Sequence, residues 1–125
     1  MTADELRTRT RAFALDVIDL CVHLGGDDLG RLVRPQLIRS GAGVASNNRA
    51  ASRSRSLREF AARLAVVVEE ADESELWLDI LVARNVKHPM LPQLRQEAIE
   101  LRAIFSRSRA TTLERLRRRK AARAM

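Results

Sequence analysis

The chain has 125 residues, the length of a single domain, and a formal net charge of +7 from 23 Lys and Arg against 16 Asp and Glu. This excess of cations suggests nucleic acid as a partner, because basic surfaces attract polyanions. No segment approaches the ~20 apolar residues of a membrane span, and the charged N-terminus lacks the apolar core of a signal peptide, so we expect a cytoplasmic protein with no membrane partner.

The first predicted helix covers about residues 3–24, with its apolar stripe formed by Leu6, Phe13, Val17, Leu20 and Leu24. The single cysteine, Cys21, cannot form an internal disulfide, and we expect it to be a small buried side chain. Glycines 25 and 26 are predicted to end the helix in a left-handed conformation. An aspartate, Asp27 or Asp28, then accepts backbone N–H groups at the start of the next helix.

The second helix is predicted over about residues 31–52, with Pro35 either in its first turn or at a kink. Gly41 and Gly43 each cost ~1 kcal/mol in helix propensity relative to alanine. Because neither has a side chain, we expect them to allow close approach of a neighbouring helix. Small and polar residues interrupt the apolar stripe, which consists of Val33, Leu37, Ser40, Val44, Asn47 and Ala51.

The third helix, about residues 56–84, has the most regular pattern in the chain. Ser56 and Glu59 match a capping box at its start, and Asn85 is a natural stop. Its inner stripe is Leu57, Phe60, Leu64, Val67, Ala71, Ser74, Leu78 and Leu81.

The fourth helix is predicted over about residues 91–119, with Pro92 in its first turn and a frayed basic tail at 120–125. Its inner positions are Leu94, Ala98, Leu101, Phe105, Leu113 and Leu116. Long helices joined by short turns pack antiparallel. The sequence therefore predicts an all-α domain over residues 1–125, an antiparallel up-down-up-down four-helix bundle.

Four polar residues lie on or beside the stripes of the second and third helices: Ser40, Asn47, Glu70 and Ser74. We interpret them as a buried hydrogen-bond network that fixes the register of the two helices. The alternative is that they form a polar pocket between the helices.

The charges are segregated along the chain. Residues 31–63 contain eight arginines and one acid, whereas residues 69–79 contain six acids and no base. The arginine-rich segments predict a nucleic-acid interface whose contacts are Arg53, Arg55, Arg58, Arg115, Arg118, Arg119 and Lys120. Alternatively, the acidic and basic patches of neighbouring subunits pair, which predicts a salt-sensitive homo-oligomer.

The sequence offers no constellation for catalysis or cofactor binding. Neither His23 nor His88 follows a glutamate at the three-residue spacing of di-iron bundles. The run from Arg84 to His88 falls short of the Arg and His spacing of helical ribonucleases and ends at a proline. We therefore expect no enzyme, no metal and no cofactor.

Several short motifs resemble one known family. They are Gln36-Leu37-x-Arg39-Ser40, Val44-x-x-Asn47, Ser56-x-x-x-Phe60, and Glu70-Ala71-x-x-Ser74 followed by Trp77-Leu78. With them the chain resembles the four-helix-bundle family of 23S rRNA intervening-sequence proteins, which includes the accessory protein of diversity-generating retroelements. A glutamate common in the family shortly after the asparagine is absent here, where Ala50-Ala51 stands.

The resemblance implies a bundle that assembles into a ring, often a homopentamer, with several members proposed to bind nucleic acid. We thus expect a non-enzymatic oligomeric module that binds RNA or DNA through its arginines. The alternative is a purely structural ring that binds another protein and has no nucleic-acid role.

Overall fold

The computed structural model describes all 125 residues as four helices joined by short turns. The helices are α1 (Ala3–Val22), α2 (Asp28–Ala51), α3 (Leu57–Ala83) and α4 (Leu91–Ala124). Each helix packs against the next in the chain, and α1 also contacts α4. The predicted all-α four-helix bundle is confirmed. None of the four helices has the combination of length and apolar character that crossing a bilayer requires.

Most positions of the predicted apolar stripes form one continuous core. Its largest fully buried side chains include Phe13 of α1, Leu37 of α2, Leu64 of α3 and Phe105 of α4. Cys21 is also completely buried, as expected, and burial raises the pKa of its thiol to about 11. The core is therefore built from all four helices.

The contact between α1 and α4, which closes the bundle, includes an ion pair. Arg9 of α1 donates to both carboxylate oxygens of Glu97 on α4, at 2.8 and 2.6 Å, and lies 3.3 Å from Glu100. These hydrogen bonds raise the pKa of the Arg9 guanidinium. A bidentate, half-buried pair of this kind fixes orientation as well as adding energy.

The first turn differs from the prediction in how α1 ends. No glycine in the chain has a positive φ, and α1 stops at Val22, before Gly25 and Gly26 are reached. Instead, Arg34 of α2 donates to the carbonyls of Cys21 (3.2 Å), Leu24 (2.6 Å) and Gly25 (2.9 Å). A guanidinium from the neighbouring helix thus pairs with carbonyls of the turn, sharing that of Cys21 with the Leu24 N–H.

Helix α2 begins at Asp28, earlier than the predicted residue 31. The side chain of Asp27 accepts the N–H of Gly30 at 3.0 Å and caps the helix, as the aspartate pair indicated. Pro35 consequently lies inside the helix rather than in its first turn. Because Pro35 is exposed, water can reach the carbonyl of Arg31 that its missing N–H leaves unpaired.

Both predicted ends of α3 are confirmed. Ser56 accepts the N–H of Glu59 at 3.1 Å, although the Glu59 carboxylate accepts from Arg55 rather than completing the box. Asn85 has a φ of 61°, the left-handed conformation expected of a helix stop. The N–H groups of Asn85 and Val86 return to Val82 and Leu81, both at 3.0 Å, which is a Schellman motif.

Helix α4 continues to Ala124, so the predicted frayed tail at 120–125 is wrong. Glu114 accepts hydrogen bonds from Arg117 and Arg118 along the helix, and alanine, arginine and lysine are strong helix formers. No residue after Thr112 is buried, and Leu113, predicted to be internal, is 41% exposed. The final turns of α4 therefore extend past the core of the bundle.

Candidate nucleic-acid interface

An open cleft of about 750 Å³ lies at the end of the bundle where α3 begins and α4 ends. In an antiparallel bundle these two termini are neighbours, and the extension of α4 forms one wall of the cleft. The lining combines apolar and cationic side chains with one serine: Ser56, Leu57, Arg58, Leu113, Leu116, Arg117, Arg119, Lys120 and Arg123. From the sequence, cations of this lining were predicted to contact nucleic acid, whereas its three leucines were predicted to lie in the core.

The structure brings together only part of the predicted contact set. Arg58, Arg119 and Lys120 line the cleft itself. Arg55 lines an adjacent groove that shares Ser56 and Leu57 with the cleft. Arg53 is exposed in the same turn between α2 and α3, whereas Arg115 and Arg118 lie on α4 outside the lining.

Most of these cations have no carboxylate partner. No Asp or Glu oxygen lies within 4.0 Å of a side-chain nitrogen of Arg53, Arg55, Arg58, Arg115, Arg119, Lys120 or Arg123. The nearby acid Glu114 is occupied by Arg117 (2.6 Å) and Arg118 (3.0 Å). Those hydrogen bonds lower the pKa of Glu114 to about 2. This end of the molecule therefore has a concentrated and uncompensated positive charge.

The acidic segment of α3 is compensated within the same chain. Glu73 pairs with Arg39 of α2 at 2.8 Å. Arg102 of α4 lies 2.9 Å from Glu75 and 3.8 Å from Asp72, and Arg95 lies 3.0 Å from Asp79. Four of the six acids thus have internal partners, and the predicted acidic patch is largely neutralised.

Ser40 and Ser74 form the buried part of the polar network predicted between α2 and α3. Both residues are completely buried, and their hydroxyl oxygens lie 2.9 Å apart in a hydrogen bond. Each hydroxyl also reaches a carbonyl of its own helix, Leu37 O at 3.3 Å for Ser40 and Glu70 O at 2.9 Å for Ser74. A satisfied polar pair in an apolar seam favours one helix register over others.

Asn47 and Glu70 do not join that hydrogen-bonded pair. The Asn47 amide donates to the Gly43 carbonyl of its own helix at 2.8 Å. The Glu70 side chain packs over Gly43, and its buried Oε2 has no hydrogen-bond partner. Burial, with Glu73 nearby, raises the pKa of Glu70, and Arg39 opposes the shift. The predicted four-residue network is therefore a two-serine contact flanked by a carboxylate whose buried oxygen is unpaired.

Replacing Glu70 with glutamine is expected to stabilise the protein at neutral pH. The folded-state pKa lies above the ordinary value of 4.5, so protonation of Glu70 favours the folded state. This contribution to stability is fully present below pH 4.5 and is lost as the pH rises through the raised pKa. Glu70→Gln keeps the shape of the side chain and removes the buried charge, so it should gain about 1 kcal/mol at neutral pH and little in acid, where Glu70 is protonated.

Urea unfolding in acid and at neutral pH measures this difference. Asp19→Asn is the control, because Asp19 of α1 is exposed, has no cation within 4.0 Å and carries the same charge without acting on Glu70. An equal gain in both variants would assign the effect to net charge rather than to the buried carboxylate.

The protein is, by its fold, an all-α four-helix bundle. No family model matches the sequence, and no curated protein matches it significantly. Among solved structures, it is similar to a protein of unknown function from the S23 ribosomal protein family of Bacteroides thetaiotaomicron VPI-5482. The TM-score is 0.78 at 21% sequence identity, and the match covers 88% of this chain and 99% of the other. This likeness establishes the shared fold.

Proposed function

We propose that this protein is a non-enzymatic, oligomeric binding module that holds nucleic acid through the cationic end of the bundle. The observation that carries the proposal is the set of cations without carboxylate partners around the α3–α4 cleft. Arg58 contributes from one wall, and Arg119 and Lys120 from the other. Their counterions can be released when phosphates bind, which is the main source of non-specific affinity for nucleic acid.

The start of α3 adds a second attraction for phosphate. Ser56 caps this helix and lines the cleft, so the positive end of the helix dipole faces the same space as the arginines. Contacts of these kinds address the backbone and carry little sequence information. We therefore infer binding that tolerates many sequences. The protein with the similar fold is assigned to the S23 ribosomal protein family, and that name agrees with an RNA partner.

The binding is expected to weaken steeply with salt. Four to six phosphate contacts give a slope of about −3 to −5 in a plot of log K against log salt. Fluorescence anisotropy of a labelled oligonucleotide between about 50 and 200 mM KCl measures this slope. Affinity that ignores salt, or no binding at about 100 µM protein in low salt, contradicts the proposal.

An exposed apolar stripe supports self-assembly. Leu15, Ile18 and Val22 of α1 follow one another at helical spacing and are 44%, 37% and 71% exposed. Since most acids of α3 are paired internally, we propose that this stripe, rather than charge pairing, joins the subunits of the oligomer. The same stripe also suits the alternative function, a scaffold ring that binds another protein and has no nucleic-acid role. Sedimentation velocity with and without oligonucleotide separates the two functions.

A further inference from the structure

We propose that the α3–α4 cleft accepts a single strand of nucleic acid, with phosphates on its cations and a nucleobase on its leucines. This inference rests on the proposed nucleic-acid role and adds the form of nucleic acid that the cleft selects. The cations alone would suit any polyanion, so the discrimination must come from the rest of the lining.

The apolar side of the cleft consists of Leu57, Leu113 and Leu116. None of the three belongs to the buried core. Leu113 is 41% exposed to solvent. Apolar surface left open to water gains free energy when another apolar surface covers it. A nucleobase has such a surface on its flat face.

A single strand exposes that face and a duplex does not. In a duplex the bases are stacked and paired, so a protein meets only phosphates, sugars and groove edges. The volume of about 750 Å³ falls in the range of small-molecule sites. The cleft therefore has room for a nucleotide or two but not for the body of a double helix.

The cations are placed to hold the backbone on both sides of such a base. Arg58 stands on the α3 wall, and Arg119, Lys120 and Arg123 stand on the α4 wall. Arg55 extends the positive surface into the adjoining groove. A strand can thus pass through the cleft and continue along the turn, with its bases contacting leucine where single-strand binders usually offer aromatic rings.

The test compares labelled strands of about 15 nucleotides, within the usual site size of single-strand binding folds. The probes are oligo(dU), oligo(rU), an abasic deoxyribose-phosphate strand of equal length, and the oligo(dU)·oligo(dA) duplex, all at one salt concentration. We expect the abasic strand to bind about fivefold more weakly than oligo(dU), since it keeps the phosphates and lacks the base faces. The duplex should also bind more weakly, despite its doubled charge.

The sugar provides an internal check. Phosphates and base faces are common to DNA and RNA, so oligo(dU) and oligo(rU) should bind within about threefold of each other. A preference above about tenfold for either strand would require recognition of the 2′-hydroxyl and would overturn the proposed mode of binding.

A double variant, Leu113→Gln with Leu116→Gln, removes most of the apolar lining and keeps every charge. The double variant should bind oligo(dU) as weakly as the unmodified protein binds the abasic strand. Its affinity for the abasic strand should equal that of the unmodified protein. Leu76→Gln is the matched control, because Leu76 is 53% exposed on α3 and lies outside the cleft. Circular dichroism verifies that each variant remains folded.

The outcomes separate this inference from the function on which it rests. Equal affinity for the abasic strand and oligo(dU), or tighter binding of the duplex, would overturn the single-strand proposal while salt-dependent binding persisted. Loss of all salt-dependent binding would overturn both.

Discussion

Replacing Arg58, Arg119 and Lys120 with alanine is expected to lower the affinity for nucleic acid at least about a hundredfold in low salt. All three side chains line the cleft, and none has a carboxylate within 4.0 Å. Each lost phosphate contact also removes a released counterion, so the salt dependence should become shallower by about two to three units of slope. Anisotropy titrations at several KCl concentrations measure both quantities.

The matched control removes the same charge from other surfaces. Arg11, Arg84 and Lys87 are exposed and unpaired, and Arg84 and Lys87 lie at the opposite end of the bundle. The two triple variants are compared at about 0.1 M KCl, where the Debye length is ~10 Å and more distant charges are screened. There, the combined replacement of the control residues with alanine should change affinity by less than about threefold. Equal losses in the two triple variants would mean that net charge, not the cleft, attracts the ligand.

The pattern of apolar residues predicted the fold because most of each stripe has a facing helix. Phe105 of α4 is buried in the common core, as its place in the pattern indicated. Thr112, which is buried, and Leu116 continue the same period, whereas Leu113 lies one residue off it; Leu116 follows the last buried residue of the helix and lies outside the core. Periodicity identifies the apolar face of a helix, but it does not reveal where the neighbouring helices stop. The cleft exists because α4 outlasts its partners, and that difference in length depends on the tertiary structure.

The pairing partners of charged and polar side chains also could not be predicted from the local sequence pattern. Glu75 pairs with Arg102 and Glu73 with Arg39, residues far apart in the sequence that only the packing of the helices brings together. Hence the segregated charges looked like two open patches, whereas one of them is compensated. The amide of Asn47 illustrates the same point, since it bonds to a carbonyl of its own helix.

Replacing Gly41 with valine is expected to destabilise the bundle by about 3 kcal/mol, the upper part of the range for overpacked cores. A Cβ at Gly41 would lie 2.9 Å from Cγ1 and 3.1 Å from Cβ of Val17 on α1. Val17 is completely buried and short, so it cannot turn aside. The two helices must therefore separate, and urea unfolding measures the loss. Gly26→Ala is the control, since no atom lies within 4 Å of its added Cβ and its φ is not positive.

A double-mutant cycle identifies the cause of that loss. Val17→Ala alone leaves a cavity and should cost about 2 kcal/mol. In the presence of Val17→Ala, however, the valine at position 41 gains room, so the double variant should be more stable than the sum of the two single losses by at least about 1.5 kcal/mol. Additivity within about 0.5 kcal/mol would show that the two side chains do not compete for the same space. The cost of Gly41→Val would then come from the β-branched residue in the helix rather than from the close approach of α1 and α2.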